Sequence, residues 1–555
     1  MDISLSQKDA SLYTIPLSES KARAWIDSLS VTDFGESTKR VFHGLVDFNR
    51  RALSPVTRVR IGERLRPKFD VLETNLQRHL NYRTLPLPKR SQRILELKLS
   101  LLLEFAGLYQ LAALDMLTRN EGSKRDLQTA IYRVIDYMGL YLLSTYSVYT
   151  RTRATIWHDI HHMYLLASER GLDRSKFSGG REGALSIEAR YIQINMLALF
   201  KPYSLRQEEV MRVARYIESV THLIKLSREV LPEERLGDFV HAAILNNDEP
   251  AVIMPYGDLP HSPTVRVFNM RQVILQMDKL IQQNAESGSG SGLLLSNGLM
   301  RNLMKRMFYH LTTVRNRESN RFPKKEKVAV IAGMQGIIEV IRNHRDDQSQ
   351  KQEEDLLFNT MLYGEASLAA AQDDELQREA QDQEQGIHIW ESINSSVGGY
   401  GLHWPHADSS TARVGELIAL RDTAQDNSAW MLGVVKWMEF VNTQGLYCGV
   451  ELLSTKMQLL TVSAIENRKI NHHLPQEGLM LPSIEGGRED PVLILPAYIF
   501  QPGDELRLKL QQREEYVALT VLDVCLGAFA YFRFENINEQ RRESDNDFDA
   551  LWGSL

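Results

Sequence analysis

The sequence predicts an α+β multidomain chain: an N-terminal all-α bundle or repeat-like domain, then an antiparallel β-barrel, then additional C-terminal β-strands. Three observations predict it. Apolar residues recur at helical spacing in the first half, as Ile94, Leu97, Leu101, Phe105 and Leu108, and again as Ile131, Ile135, Met138 and Leu142. Beyond residue 328 the pattern changes to short apolar runs punctuated by Gly, Asn and Asp, the signature of strands. Between the halves, Glu286-SGSGSG-Leu293 has the composition of a flexible linker. The chain has 555 residues, 43% of them hydrophobic and 25% charged, which is enough for several domains. Those values exclude disordered, collagenous and disulfide-scaffold classes.

Residues 1–285 form the helical domain, the candidate partner-binding part, with Pro202 and Pro232 placed where helical patterns stop. Its most apolar stretch, Leu97 to Leu117, is interrupted by Lys98, Glu104, Gln110 and Asp115, so it reads as a buried helix rather than a membrane span. Residues 286–314 hold the Gly/Ser linker and a connecting helix from Leu295 to about Val314, basic towards its end (Arg301, Lys305, Arg306, Arg315). Residues 315–465 open with the short β-run Val328–Ile331, interrupted by a helical, acidic, Gln-rich insertion at 334–385. Ile387–Asn394, Gly415–Arg421, Trp430–Val441, Tyr447–Leu453 and Gln458–Ile465 then read as the strands of a small closed barrel. A β-rich extension covers 466–538, with strands at Pro491–Leu495, Glu505–Leu510, Tyr516–Leu522 and Phe529–Phe534, and 539–555 is predicted to be a mobile acidic tail.

Lys and Arg number 65 against 71 Asp and Glu, a net charge of −6, so the basic excess of a general nucleic-acid binder is absent. An anion must therefore be held by a few local cations. Cys448 and Cys525 both lie in apolar runs and read as buried free thiols. The start, MDISLSQKDASLYTIPL, lacks the basic and apolar regions of a signal peptide, so a cytoplasmic location is expected.

Two short patterns flank the start of the β-region. Arg317-Glu-Ser-Asn-Arg321 is an RxxxR between the basic helix and the first strand, and Asn394-Ser-Ser396-Val-Gly-Gly399 is an N-x-S-x-x-G at a strand end. Each alone is weak. With Val414-Gly-Glu-Leu417, Leu432-Gly-Val-Val-Lys-Trp437 and Cys448-Gly-Val-Glu-Leu452 following in order, residues 315 to 465 resemble a PilZ domain, the bacterial receptor module for cyclic di-GMP.

That resemblance implies a phosphate and purine clamp at Arg317 and Arg321, with Arg315 beside them. It implies guanine-reading hydrogen bonds at Asn394 and Ser396, and a close backbone approach or positive φ at Gly399. The chemistry suits a compact dianion with two guanines, because a guanidinium holds phosphate bidentately and stacks on a purine where lysine does neither. Two departures stand out. The motifs lie 73 positions apart, an excess assigned to the acidic insertion, and Asn316 stands where many PilZ domains carry a further arginine.

Other candidates have plainer readings. His158, His161 and His162 suit core or interface histidines better than a metal site, because Trp157-His-Asp-Ile-His-His162 lacks the Glu of an HExxH motif. His388, His403 and His406 read as surface residues of the barrel. Neither a phosphate loop nor an EAL, HD-GYP or GGDEF signature is present, so no enzyme activity and no cofactor or metal are expected. In the tail, Phe548, Leu551, Trp552 and Leu555 would make one apolar stripe if helical, suited to a groove on a protein partner or on the chain's own domain. The expected role is a cyclic di-GMP effector coupling ligand level to a protein partner, in motility, type IV pilus or surface-attachment control as the resemblance implies. The alternative is a ligand-free PilZ-like scaffold.

Overall fold

The computed structural model describes residues 12–537 apart from 31, 81–84, 182–184, 231–236, 287–293, 315–321, 344–385, 406–409, 411, 425–427, 442–443, 466–474, 484–489, 511–512 and 526–528. The chain divides into two compact units. One comprises Met1–Gln283, Arg306–Asn316 and Glu439–Thr443; the other comprises Asn284–Lys305, Arg317–Met438 and Gln444–Leu555.

The first unit is built on α1 (Glu19–Asp27), α2 (Phe34–Asn49), α3 (Pro55–Arg78), α4 (Lys89–Arg119), α5 (Lys124–Ser147), α6 (Ile156–Glu169), α7 (Ile187–Leu199) and α8 (Gln207–Val220). Helix α4 is long and apolar enough to cross a bilayer by length and composition. Its Leu102, Phe105, Leu108 and Tyr109 are instead fully buried in the unit, the core-helix role its polar interruptions predict. Phe69 of α3 stacks on Phe105 at 4.1 Å between ring centroids, and Tyr137 of α5 meets Phe105 edge-on at 4.8 Å. Charges inside this core are paired: Arg133 donates to Glu63 at 2.7 Å, and buried Asp136 receives Arg181 at 2.7 Å and Arg190 at 2.9 Å. Such pairs specify which helices meet more than they add net stability.

The helical half also contains a sheet that periodicity does not reveal. Strands β1 (Lys225–Ser227), β2 (Phe239–Ile244), β3 (Val252–Pro255) and β4 (Val265–Asn269) pair antiparallel in the order β1-β4-β2-β3. The α+β class stands, but the N-terminal part is not all-α. Helix α9 (Arg271–Glu286) follows, then α10 (Leu294–Thr312), whose last turns belong to this unit. There Arg306 donates to Glu209 at 3.0 Å, and His241 Nε2 donates to the Leu311 carbonyl at 2.9 Å.

The second unit holds two closed six-stranded barrels. The first joins β5 (Phe322–Ala332), β6 (His388–Ser396), β7 (Gly399–Trp404), β8 (Leu417–Asp422), β9 (Met431–Val441) and β10 (Gly445–Ser454) in the order β10-β7-β6-β5-β8-β9. The second joins β11 (Gln458–Ala464), β12 (Gln476–Leu481), β13 (Val492–Pro496), β14 (Glu505–Leu510), β15 (Arg513–Cys525) and β16 (Phe529–Asn536) in the order β11-β12-β13-β16-β15-β14. The C-terminal strands are thus a barrel in their own right, and the run Gln458–Ile465 opens it instead of closing the first. The start of the predicted insertion is a helix at 334–343 (α11) whose Ile337 and Ile338 are buried. The rest of the insertion and the tail with Phe548, Leu551, Trp552 and Leu555 lie outside the described residues.

Candidate functional site

Antiparallel pairing of β5 with β6 reconciles the 73-residue gap between the two motifs. The start of β5 lies against the end of β6: Phe322 pairs with Ser395 and Pro323 with Asn394. Arg321 directly precedes Phe322 in sequence. Arg315, Arg317 and Arg321 themselves lie outside the described residues, whereas Asn394, Ser396 and Gly399 are placed.

The N-x-S-x-x-G segment straddles the hairpin between β6 and β7, with Val397 and Gly398 as its two loop residues. Val397 is 95% exposed. The Ser396 hydroxyl donates to the Gly399 carbonyl at 3.3 Å, bracing the turn. Gly399 is required by a close approach and not by a positive φ. A Cβ there would lie 2.2 Å from the Val450 carbonyl oxygen of β10, a backbone atom that has no room to yield.

One row across four strands makes this face flat. Asn394 of β6 pairs with Gly401 of β7, and Gly401 pairs with Gly449 of β10. Their neighbours Leu402 and Cys448 are fully buried, so strand alternation turns both glycines outward. Side chains from the flanking strands lie over these bare positions. A Cβ on Gly401 would meet Asn394 Oδ1 at 2.8 Å, and one on Gly449 would meet Trp437 Nε1 of β9 at 2.0 Å. The carboxamide and the indole therefore sit side by side, about one strand spacing or ~5 Å apart. Behind them the Cys448 thiol is pushed up to about 12 by burial, which makes it an inert core group.

Two cations near this face are already engaged. Lys436 pairs with Glu451 at 2.7 Å, and Lys324 pairs with Glu326 at 2.6 Å. The hydrogen bond that Lys324 donates to Glu326 raises its ammonium above the ordinary range. Further along, His403 stacks on Tyr447 at 4.5 Å and shares hydrogen bonds with Glu391 and the Gln444 carbonyl, so it belongs to the barrel surface as expected. His406 lies outside the described residues.

The sequence patterns place Trp437 and Gly449 only within strands and give Gly401 no role. The signal was there in part, since a glycine recurs in two strands beside an N-x-S motif. Register decides that the glycines face one another, and register is not written in either strand alone.

The histidines of α6 divide by burial. His161 is fully buried, with Nε2 donating to the Glu249 carbonyl and Nδ1 accepting from the Tyr191 hydroxyl, each at 2.8 Å. His158 and His162 stack with centroids 6.2 Å apart. Among the described residues no group of three or more His, Cys, Asp or Glu is placed to hold a metal ion.

Comparison with known proteins agrees with this architecture part by part. Residues 20–233 match the model of the N-terminal domain of the cyclic-di-GMP receptor FimW, 336–458 that of its middle PilZ domain, and 461–537 that of its C-terminal β-barrel domain. The chain belongs to the FimW family. The cyclic-di-GMP receptor FimW of Pseudomonas aeruginosa is 22% identical over 587 aligned positions, which cover 96% of this chain and 95% of that relative. No solved structure matches. The middle-domain match, 336–458, takes in β6 to β10 of the first barrel and leaves β5 outside it, while the C-terminal-barrel match begins within β11.

Proposed function

We propose that this chain is a cyclic di-GMP receptor whose first barrel binds the ligand on the Asn394–Trp437 face. The observation that carries the proposal is the pairing of β5 with β6, which sets the residue following the RxxxR segment directly across from the N-x-S motif. The family and the receptor relative support the same ligand.

In this reading Arg317 and Arg321, with Arg315, supply the cations that the face lacks, since Lys324 and Lys436 are spent on carboxylates. Asn394 and Ser396 offer amide and hydroxyl groups to a guanine edge. The indole of Trp437, laid over Gly449 beside the Asn394 carboxamide, gives a planar base a stacking surface. The protein acts by binding and not by catalysis, as an effector that passes ligand occupancy to a protein partner through the helical unit or the tail. Its output lies in type IV pilus, motility or surface-attachment control, and its location is cytoplasmic, with recruitment to the inner membrane face or a pole.

Calorimetry of cyclic di-GMP with the full chain and with an Arg317→Ala/Arg321→Ala variant tests this. A hydrogen bond to a charged group is worth roughly 1.5–3 kcal/mol, about one to two decades of affinity per arginine. The variant is expected to lose binding at micromolar ligand; equal affinity in the two proteins would sink the proposal.

A further inference from the structure

The net charge of −6 conceals a strongly basic region in the helical unit. Between Arg58 and Arg93 the sequence carries ten Lys or Arg and three Asp or Glu. Some of these cations have structural work. Arg58 is buried and donates to the Phe48 and Arg51 carbonyls, Arg60 pairs with Glu19, Arg66 pairs with Glu63 and Asp70, and Lys68 donates to the Leu29 carbonyl. Five others do not: Arg64, Arg78, Lys89, Arg90 and Arg93 are all exposed, and none forms an ion pair among the described residues.

Helix stability does not explain the last three. Lys89, Arg90 and Arg93 occupy the opening of α4, which has no acidic residue in its first turn and no side-chain cap. Cations at a helix N-terminus oppose the macrodipole, and the first acidic residue of α4 is Glu96, beyond its first turn. Helices α3 and α4 are consecutive and packed against each other, and Lys98 of α4 reaches Glu73 and Gln77, so Arg78 at the end of α3 borders the opening turns of α4. Along α3, Arg64, Pro67, Val71 and Arg78 share one exposed stripe at steps of three, four and seven, and Val71 is 44% exposed. From Arg64 to Arg78 this stripe runs about 20 Å at 1.5 Å per residue.

We propose that this α3–α4 corner is a docking face for an anionic lipid bilayer. A cluster of four to eight exposed Lys and Arg on helices is the composition that anionic headgroups attract. An aliphatic side chain among the cations adds an insertion point that a purely electrostatic partner does not need. The length of the stripe exceeds any single small anion and suits a surface with charge spread across it. An acidic protein would offer the same charge, and the experiment separates the two.

Full-length protein is sedimented with vesicles of phosphatidylcholine containing 30 mol% phosphatidylglycerol, and with vesicles of phosphatidylcholine alone, at about 50 and about 300 mM salt. Binding is expected only to the anionic vesicles, and it should fall at least tenfold at the higher salt. A Lys89→Glu/Arg90→Glu/Arg93→Glu variant should lose at least tenfold in partitioning while its cyclic di-GMP affinity stays unchanged. Its melting temperature should hold or rise, since acids belong at a helix start. Equal binding to both vesicle types, an unaffected variant, or binding to soluble polyglutamate without binding to anionic vesicles would each overturn the proposal.

Discussion

At Gly449 a methyl group would lie 2.0 Å from the indole nitrogen of Trp437, so the two residues can be varied as a pair to probe the ligand face. Gly449→Ala forces the indole off the floor and costs about 1–3 kcal/mol of stability by overpacking. Trp437→Ala leaves the floor bare and removes the stacking surface. Base–aromatic stacking is worth about 1–3 kcal/mol, so calorimetry should show cyclic di-GMP binding weakened by roughly one to two decades in Trp437→Ala. Unchanged affinity in that variant would remove the indole from the site and leave the arginine clamp standing alone. Gly399 is a different case, because its conflict is with the Val450 carbonyl. Gly399→Ala should therefore disturb β7–β10 pairing whether or not ligand is present.

Helix α6 shows how one element depends on residues distant in sequence. Thr155 at its N-cap has φ 73°, in the left-handed region, and makes no side-chain cap. Asp248, in the loop between β2 and β3, does that job instead, accepting from the Thr155 and His158 amides at 2.6 and 2.9 Å. Farther along the helix His161 reaches back to the Glu249 carbonyl. Burial pushes the His161 imidazolium down to about 4, and it does the same to His241 of β2. Both folded-state values lie below the ordinary 6.5, so the unfolded chain takes up protons first as pH falls. Stability is full above pH 6.5 and declines towards pH 4, by about 3 kcal/mol per histidine. Protection factors of α6 and β2 amides in the full chain, corrected for the slowing of intrinsic exchange in acid, should fall as the pH drops through that window. His161→Gln keeps a donor for the carbonyl and removes a titrating group, so it should roughly halve the slope; an undiminished slope would exclude His161 as a source. The same element marks a limit of sequence reasoning. The histidines of α6 were legible as core or interface residues, but the sheet that caps the helix was not. β1, β3 and β4 are three to five residues long, and apolar runs that short fit helix and strand alike.

The two barrels share one hydrophobic core at the scale of the whole second unit. Ala329, Leu417, Ala419 and Leu432 of the first barrel pack with Leu479, Leu481, Ile494 and Phe529 of the second, and Met334, Ile337 and Ile338 of α11 fill the space between. Alternation along each strand announced which residues turn inward, and it placed most strands of both barrels. It did not say which barrel Gln458–Ile465 joins, because each face of that run finds apolar partners: Leu460 and Val462 lie in the second barrel's own core, and Leu459 packs against the shared one. β7 escaped notice for a related reason, since Gly399 and Gly401 depress its strand signal while leaving room for the Val450 carbonyl and the Asn394 carboxamide. The shared core makes a prediction that neither barrel makes alone. Ile337 is fully buried in it, so Ile337→Ala should cost about 2–5 kcal/mol. Residues locked into one apolar cluster open as one cooperative unit, so the loss should be felt on both sides. Hydrogen exchange of the full-length variant should show β8 and β13 losing protection together and by similar amounts. Faster exchange in β8 with β13 unchanged would mean that the barrels are independent and merely adjacent, and the ligand face would then be supported by the first barrel alone.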